Sequence, residues 1–181
     1  MSEIRQILLS GFGGQGIVLA GLLLGQAGVI EGKYAAGSNS YGAQARGSGC
    51  KSEILFSDHP IPFPHLIIAD IFVAMSQGAY HLYCKDVKES GLILYDQGLV
   101  IPKMELSVKQ SGVPATEISV KKLKNKQVAN LVMLGALVGI MQMVSPQAIQ
   151  KAIALHIHQR FRAPNLKALR IGLRLGKKIN A

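Results

Sequence analysis

Four glycines in six residues, Gly11, Gly13, Gly14 and Gly16, follow a short apolar run and lead straight into an apolar stretch. A strand that empties into so bare a turn and then into a helix belongs to a layered α/β protein. The glycines let the chain turn tightly, and the free N–H groups and positive dipole end of the helix attract an anion. The spacing Gly11-x-Gly13-x-x-Gly16 also satisfies the dinucleotide fingerprint, which further asks for an acidic residue about 20 positions on, at the end of the second strand. Here that strand, Lys33 to Gly37, ends in Ser38-Asn39-Ser40, and Glu31 comes before it. Ordinary NAD binding is therefore disfavoured. Two readings of the glycines remain: a cradle for some other anion, or a packing device between helix and strand.

Strand and helix signals alternate along the chain. Strands are expected at 4–10, near 33–38, at 49–57 and at 66–70, with helices at 15–30 and from Asp70 through Tyr83. Gly91 to Asp96 reads as a buried strand and Val113 to Ile118 as a short edge strand. From about Lys121 the pattern turns helical: one segment near 121–143, a second opening at Ser145-Pro146 as an N-cap followed by proline, and a third from Pro164. This predicts an α/β fold with a mostly parallel sheet and a helical C-terminal segment. The 181 residues suit a single domain spanning 1–181.

Lys and Arg number 20 against 10 Asp and Glu, a net charge of +10 that favours an anionic partner. The two cysteines, Cys50 and Cys84, can neither staple a disulfide scaffold nor ligate a cubane iron-sulfur cluster. Leu131 to Val144, broken by Gln142, is too short to span a bilayer, so a cytoplasmic, reducing location is expected.

Ile17 to Ile30 and Val128 to Val144 are apolar on nearly every side. Part of that surface is expected to be covered by another chain, which leaves open whether the isolated chain dimerises through it; the alternative is one core enclosing both helices. Gly21, Gly25 and Gly28 form a smooth strip on the first of them. A second polar constellation, Gly37 to Gly49, sets Tyr41 and Arg46 among glycines. It reads either as a turn-rich loop or as an anion holder. Both glycine-rich stretches should emerge on the same carboxyl edge of the sheet, where α/β proteins place their ligands.

Taken together, Gly11 to Gly16, Ser40-Tyr-Gly42 with Arg46-Gly47, Ile54 to Ile61, Asp70 with the apolar helix after it, Asn130 to Leu137, and the late Asn165, Ala168 and Gly172 resemble the gamma subunit of the 2-oxoacid:ferredoxin oxidoreductases. The likeness runs nearly end to end; Ser48, where that family usually has glycine, departs from it. The resemblance implies a Rossmann-like three-layer sandwich and an accessory subunit, inactive alone. It implies alpha, beta and ferredoxin-like delta partners that carry thiamine diphosphate, Mg and iron-sulfur clusters, with ferredoxin as acceptor. Together they would convert a 2-oxoacid, best matched by 2-oxoglutarate, and coenzyme A to acyl-CoA and CO2. The residues it implicates in shaping the coenzyme A side are Gly11, Gly13, Gly14, Gln15, Gly16, Ser40, Tyr41, Gly42, Arg46, Gly47 and Asn130. No catalytic residue and no metal ligand is assigned to this chain.

Other polar residues read more weakly. His156 and His158 are too isolated for a metal site, and His59 and His65 flank prolines. Asp70 and Asp96 end strands and could cap the next element or line the glycine-rich edge. Lys121, Lys122, Lys124 and Lys126 read as a solvated helix start, and Lys167, Arg170, Arg174 and Lys178 as a stripe on the last helix. A stand-alone nucleotide-dependent enzyme is the main alternative. A nucleic-acid module would use the charge, but the chain has no Trp and only 6% aromatics.

Overall fold

The computed structural model describes residues 4–42 and 49–180. Six strands, β1 (Arg5–Phe12), β2 (Tyr34–Tyr41), β3 (Gly49–Ser57), β4 (Ala69–Ala74), β5 (Val87–Asp96) and β6 (Lys109–Val113), form one sheet in the order β2-β3-β1-β4-β5-β6. Six α-helices accompany it among the described residues: α1 (Ile17–Ile30), α2 (Gln77–Tyr83), α3 (Ala115–Lys121), α4 (Ala129–Met141), α5 (Pro146–His156) and α6 (Gln159–Asn180), with a 3-10 turn at Lys126–Val128 leading into α4. β1, β4, β5 and β6 pair in parallel, whereas β3 runs antiparallel between β1 and β2. β2 therefore keeps the direction of β1, and the sheet is mostly parallel as its alternation predicts.

The period-2 pattern of β1 divides the core. Ile7 and Leu9 join Val73 and Leu94 under α1, α4, α5 and α6, while Leu8, Phe72 and Ile93 pack with Tyr80 of α2 on the opposite face. On that opposite face Glu53 of β3 accepts hydrogen bonds from Lys51 and from Ser38 of β2. Burial, the largest single influence, would raise its carboxyl pKa, but these two bonds together with the Lys51 charge and the Leu66 amide leave it below the ordinary glutamate value.

The structure corrects several expectations. The strand expected at 66–70 is displaced to Ala69–Ala74, so Asp70 is its second residue and not its last. Val113 to Ile118 is not an edge strand: the strand ends at Val113 and α3 begins at Ala115. Asp96 at the end of β5 supplies the missing cap, accepting from the Thr116 amide at 3.0 Å and the Thr116 hydroxyl at 2.6 Å. The single helix near 121–143 is instead α3, the 3-10 turn and α4, and α6 starts at Gln159, so Pro164 lies inside it.

The expected exposure of both apolar helices is half right. α4 needs no other chain: residues 129–139 are all buried. Its Gly135 and Gly139 lie so close to Gly172 and Gly176 of α6 that a Cβ on any of the four would meet the other helix's backbone. On α1, Gly21 and Gly28 admit the side chains of Ser52 and Phe56 on β3, so two of the strip's three glycines pack within the chain, while Gly25 faces open space. α1 nevertheless leaves Leu22 47% and Val29 53% exposed.

Candidate functional site

The carboxyl ends of β1 and β4 are where the chain changes direction across the sheet, since β3 and β2 lie on one side of β1 and β4 to β6 on the other. Ligand crevices of open α/β sheets form at such switch points. The glycine-rich loop sits there. Gly14 at φ 97° and Gly16 at φ 75° take left-handed backbone that other residues adopt at a cost, and Gly16 is the N-cap of α1.

Gln15 holds this loop in shape. Its Oε1 accepts from the Phe12 amide at 2.6 Å, and its Nε2 donates to the Met75 carbonyl at 2.7 Å, strapping the end of β1 to the end of β4. Gly11 lies under that strap, where a Cβ would strike Gln15 Oε1. Asn130, in the first turn of α4, donates from Nδ2 to the Gly16 carbonyl at 3.1 Å and accepts from the Leu131 amide at 3.0 Å. One nearly buried side chain thus clasps the α1 N-terminus to that of α4.

Beside this loop opens a cavity of about 160 Å³ lined by Gly14, Gln15, Met75, Thr116, Lys126, Gln127 and Ala129. The loop ahead of α1, the first residue of α4 and Lys126 all border it, so the amides of that loop and the nearest cation favour an anionic group. Thr116 also lines it, with its amide and hydroxyl both already committed to Asp96.

Six of the residues singled out from sequence, Gly11, Gly13, Gly14, Gln15, Gly16 and Asn130, thus meet at one place. Ser40, Tyr41 and Gly42 lie at the same carboxyl edge but outside the cavity: Tyr41 pairs with Cys50, which pairs with Gly11, so β2 stands two strand spacings, about 10 Å, from β1. Arg46 and Gly47 fall outside the described residues. Asp70 does not share this edge. It lies at the amino edge, accepting from the Gln6 amide at 2.7 Å and Lys88 Nζ at 2.6 Å.

Lys126 and Gln127 were not legible as site residues. Lys126 reads as the end of a solvated basic run, and only the 3-10 turn capped by Asn125 swings it to the cavity. Cys50 and Cys84 are buried in the cores on opposite faces of the sheet. Among the described residues no group of three His, Cys, Asp or Glu side chains could hold a metal ion, and no helix is long and apolar enough to cross a membrane.

The profile of a family described as pyruvate ferredoxin/flavodoxin oxidoreductase matches residues 6–175. The 2-oxoglutarate synthase subunit KorC of Methanocaldococcus jannaschii is 43% identical over 178 residues, covering 97% of this chain and 95% of that one. The crystal structure of the keto/oxoacid ferredoxin oxidoreductase gamma subunit from Geobacter sulfurreducens superposes with a TM-score of 0.84 at 32% identity, covering 96% of this chain and 99% of that chain. The fold alone is shared with a 2-oxoglutarate:ferredoxin oxidoreductase from Magnetococcus marinus, at TM-score 0.88 and 22% identity, where this chain corresponds to 32% of the longer one.

Proposed function

Because the chain belongs to the pyruvate ferredoxin/flavodoxin oxidoreductase family, as a gamma subunit of a 2-oxoacid:ferredoxin oxidoreductase, we propose that its complex oxidises 2-oxoglutarate with coenzyme A to acyl-CoA, CO2 and reduced ferredoxin. The observation that carries the choice of oxoacid is the likeness to the archaeal 2-oxoglutarate synthase subunit, which spans nearly the whole of both chains. In this reading the chain is a cytoplasmic accessory subunit. Thiamine diphosphate and Mg belong to alpha and beta partners and the iron-sulfur clusters to a ferredoxin-like delta partner. The placement of Cys50 and Cys84 on opposite sides of the sheet supports leaving the clusters to other chains.

The work assigned to this chain is to hold an anion. Amides of Gly13, Gly14 and Gly16, with Lys126 above them, would take phosphate oxygens of coenzyme A, while the Gln15 strap keeps those amides in position. Tyr41, with Ser40 and Gly42 beside it at the end of β2, would contact the same ligand, as would Arg46 and Gly47, which follow in the sequence.

A tagged copy of the chain captured from native extract tests the assembly: thiamine- and cluster-binding chains should come down with it, and the complex should turn over 2-oxoglutarate in preference to pyruvate. Turnover by the lone chain, or a preference for another oxoacid, would overturn the reading. In that complex Lys126→Ala and Arg46→Ala should each raise the half-saturating concentration of coenzyme A about tenfold, the loss of one charge-assisted hydrogen bond. An unchanged value removes the residue from the cradle.

A further inference from the structure

We propose that two copies of this chain join edge to edge through β2, continuing the sheet across a twofold axis at Gly37 or Ser38. The inference stands apart from the substrate and partner subunits proposed above.

The two edges of the sheet are built differently. β6 is five residues long and opens on an exposed lysine, Lys109. Short length and lysine are the usual ways an edge is kept from pairing. β2 is eight residues long, Tyr34 to Tyr41, and contains no Lys, Arg, Asp, Glu or Pro. Its outward hydrogen-bonding groups can be identified. Gly42 donates to the Gly49 carbonyl directly opposite it, so by the alternation of an antiparallel ladder the even-numbered residues of β2 face β3. Ala35, Gly37, Asn39 and Tyr41 then turn their N–H and C=O groups outward. Antiparallel pairing of two copies joins odd residues to odd. With the axis at Gly37, Ala35 meets Asn39; with the axis at Ser38, Gly37 meets Asn39.

The helix above the edge fits the same operation. A continuous sheet built this way has its twofold perpendicular to the sheet, which brings the two α1 helices side by side on one face. α1 packs over β2 and β3. With its axis between those strands, the two helices would lie two strand spacings of about 4.8 Å apart, near 10 Å, the distance at which helices pack. The flank turned toward the partner is Leu22, Gly25, Gln26 and Val29, at helical spacing, and these residues with Ala35 and Gly37 line an open groove of about 240 Å³. A Cβ at Gly25 would meet nothing within 4 Å.

Charge selects the occupant. Two bodies of net charge +10 repel, and this strip, free of charged side chains, is where a second copy can approach with least opposition. An acidic partner would gain nothing here over the many basic surfaces elsewhere.

Sedimentation or light scattering of the purified full chain over a concentration series tests this. The wild type should show the mass of two 19.4 kDa chains, and added salt should strengthen the pairing by screening the repulsion. Leu22→Lys, at an exposed position, should halve the apparent mass with the circular dichroism unchanged. Asn39→Pro removes an outward N–H while sparing the β3 ladder and should do the same. As a second readout, Gly37→Cys or Ser38→Cys should give an oxidised chain pair on a denaturing gel. A monomeric wild type at 100-fold above micromolar concentration, or a pair that survives both Leu22→Lys and Asn39→Pro, overturns the proposal.

Discussion

α1 and α4 are nearly interchangeable as sequences, each apolar with a single polar amide side chain, Gln26 in one and Asn130 in the other, yet the fold buries α4 from Ala129 through Gly139 and leaves a flank of α1 bare. The difference comes from what lies beside them. α4 is backed by α6, whose Gly172 and Gly176 interlock with Gly135 and Gly139. α1 sits over the last two strands of the sheet, with no strand of the described residues beyond β2. Apolar composition thus says that a helix will be covered, and only the position in the sheet says by whom.

Breaking the enclosed helix should have the largest effect. Gly172→Val would force a side chain into the Val132 carbonyl, and because backbone rather than a flexible side chain blocks it, a loss of about 4 kcal/mol or more in urea unfolding is expected. Leu134→Ala, deep in α4, should cost about 3 kcal/mol by leaving a cavity that neighbouring side chains cannot fill. The clasp between the two helices is a smaller lever. Gly16→Ala places a Cβ against Asn130 at φ 75°, and about 1 to 3 kcal/mol should be lost, together with weaker coenzyme A binding by the assembled complex. On the bare helix, Leu22→Ala measured at high dilution should change the unfolding free energy by no more than about 0.5 kcal/mol. A loss comparable to that of Leu134→Ala would mean that α1 is as enclosed as α4.

Much of this frame was legible in the sequence, because it is set by local signals. The bounds of β3 and the Ser145-Pro146 start of α5 arise from apolar runs and capping chemistry, with the Ser145 hydroxyl accepting from the Ala148 amide as its position predicts. What stayed hidden depends on residues far apart in the chain. Val113 to Ile118 reads as extended because the cap of α3 is Asp96, about 20 positions earlier. The helical turn ahead of Pro164 is steadied by Arg162, which donates to the carbonyls of Ile157 and Ala154. At the site, the glycines and Gln15 announce a turn, whereas Lys126 joins it only through the approach of the α4 N-terminus, which no spacing in the sequence encodes.

The strap formed by Gln15 has a consequence for recognition. Its amide spends both ends inside the polypeptide, so the outline of the crevice is fixed by the chain itself and not by any visitor. A template already set in form spends no entropy on ordering itself when a guest arrives. Capture there should proceed in a single step, with an affinity set by the contacts less the freedom the guest itself gives up.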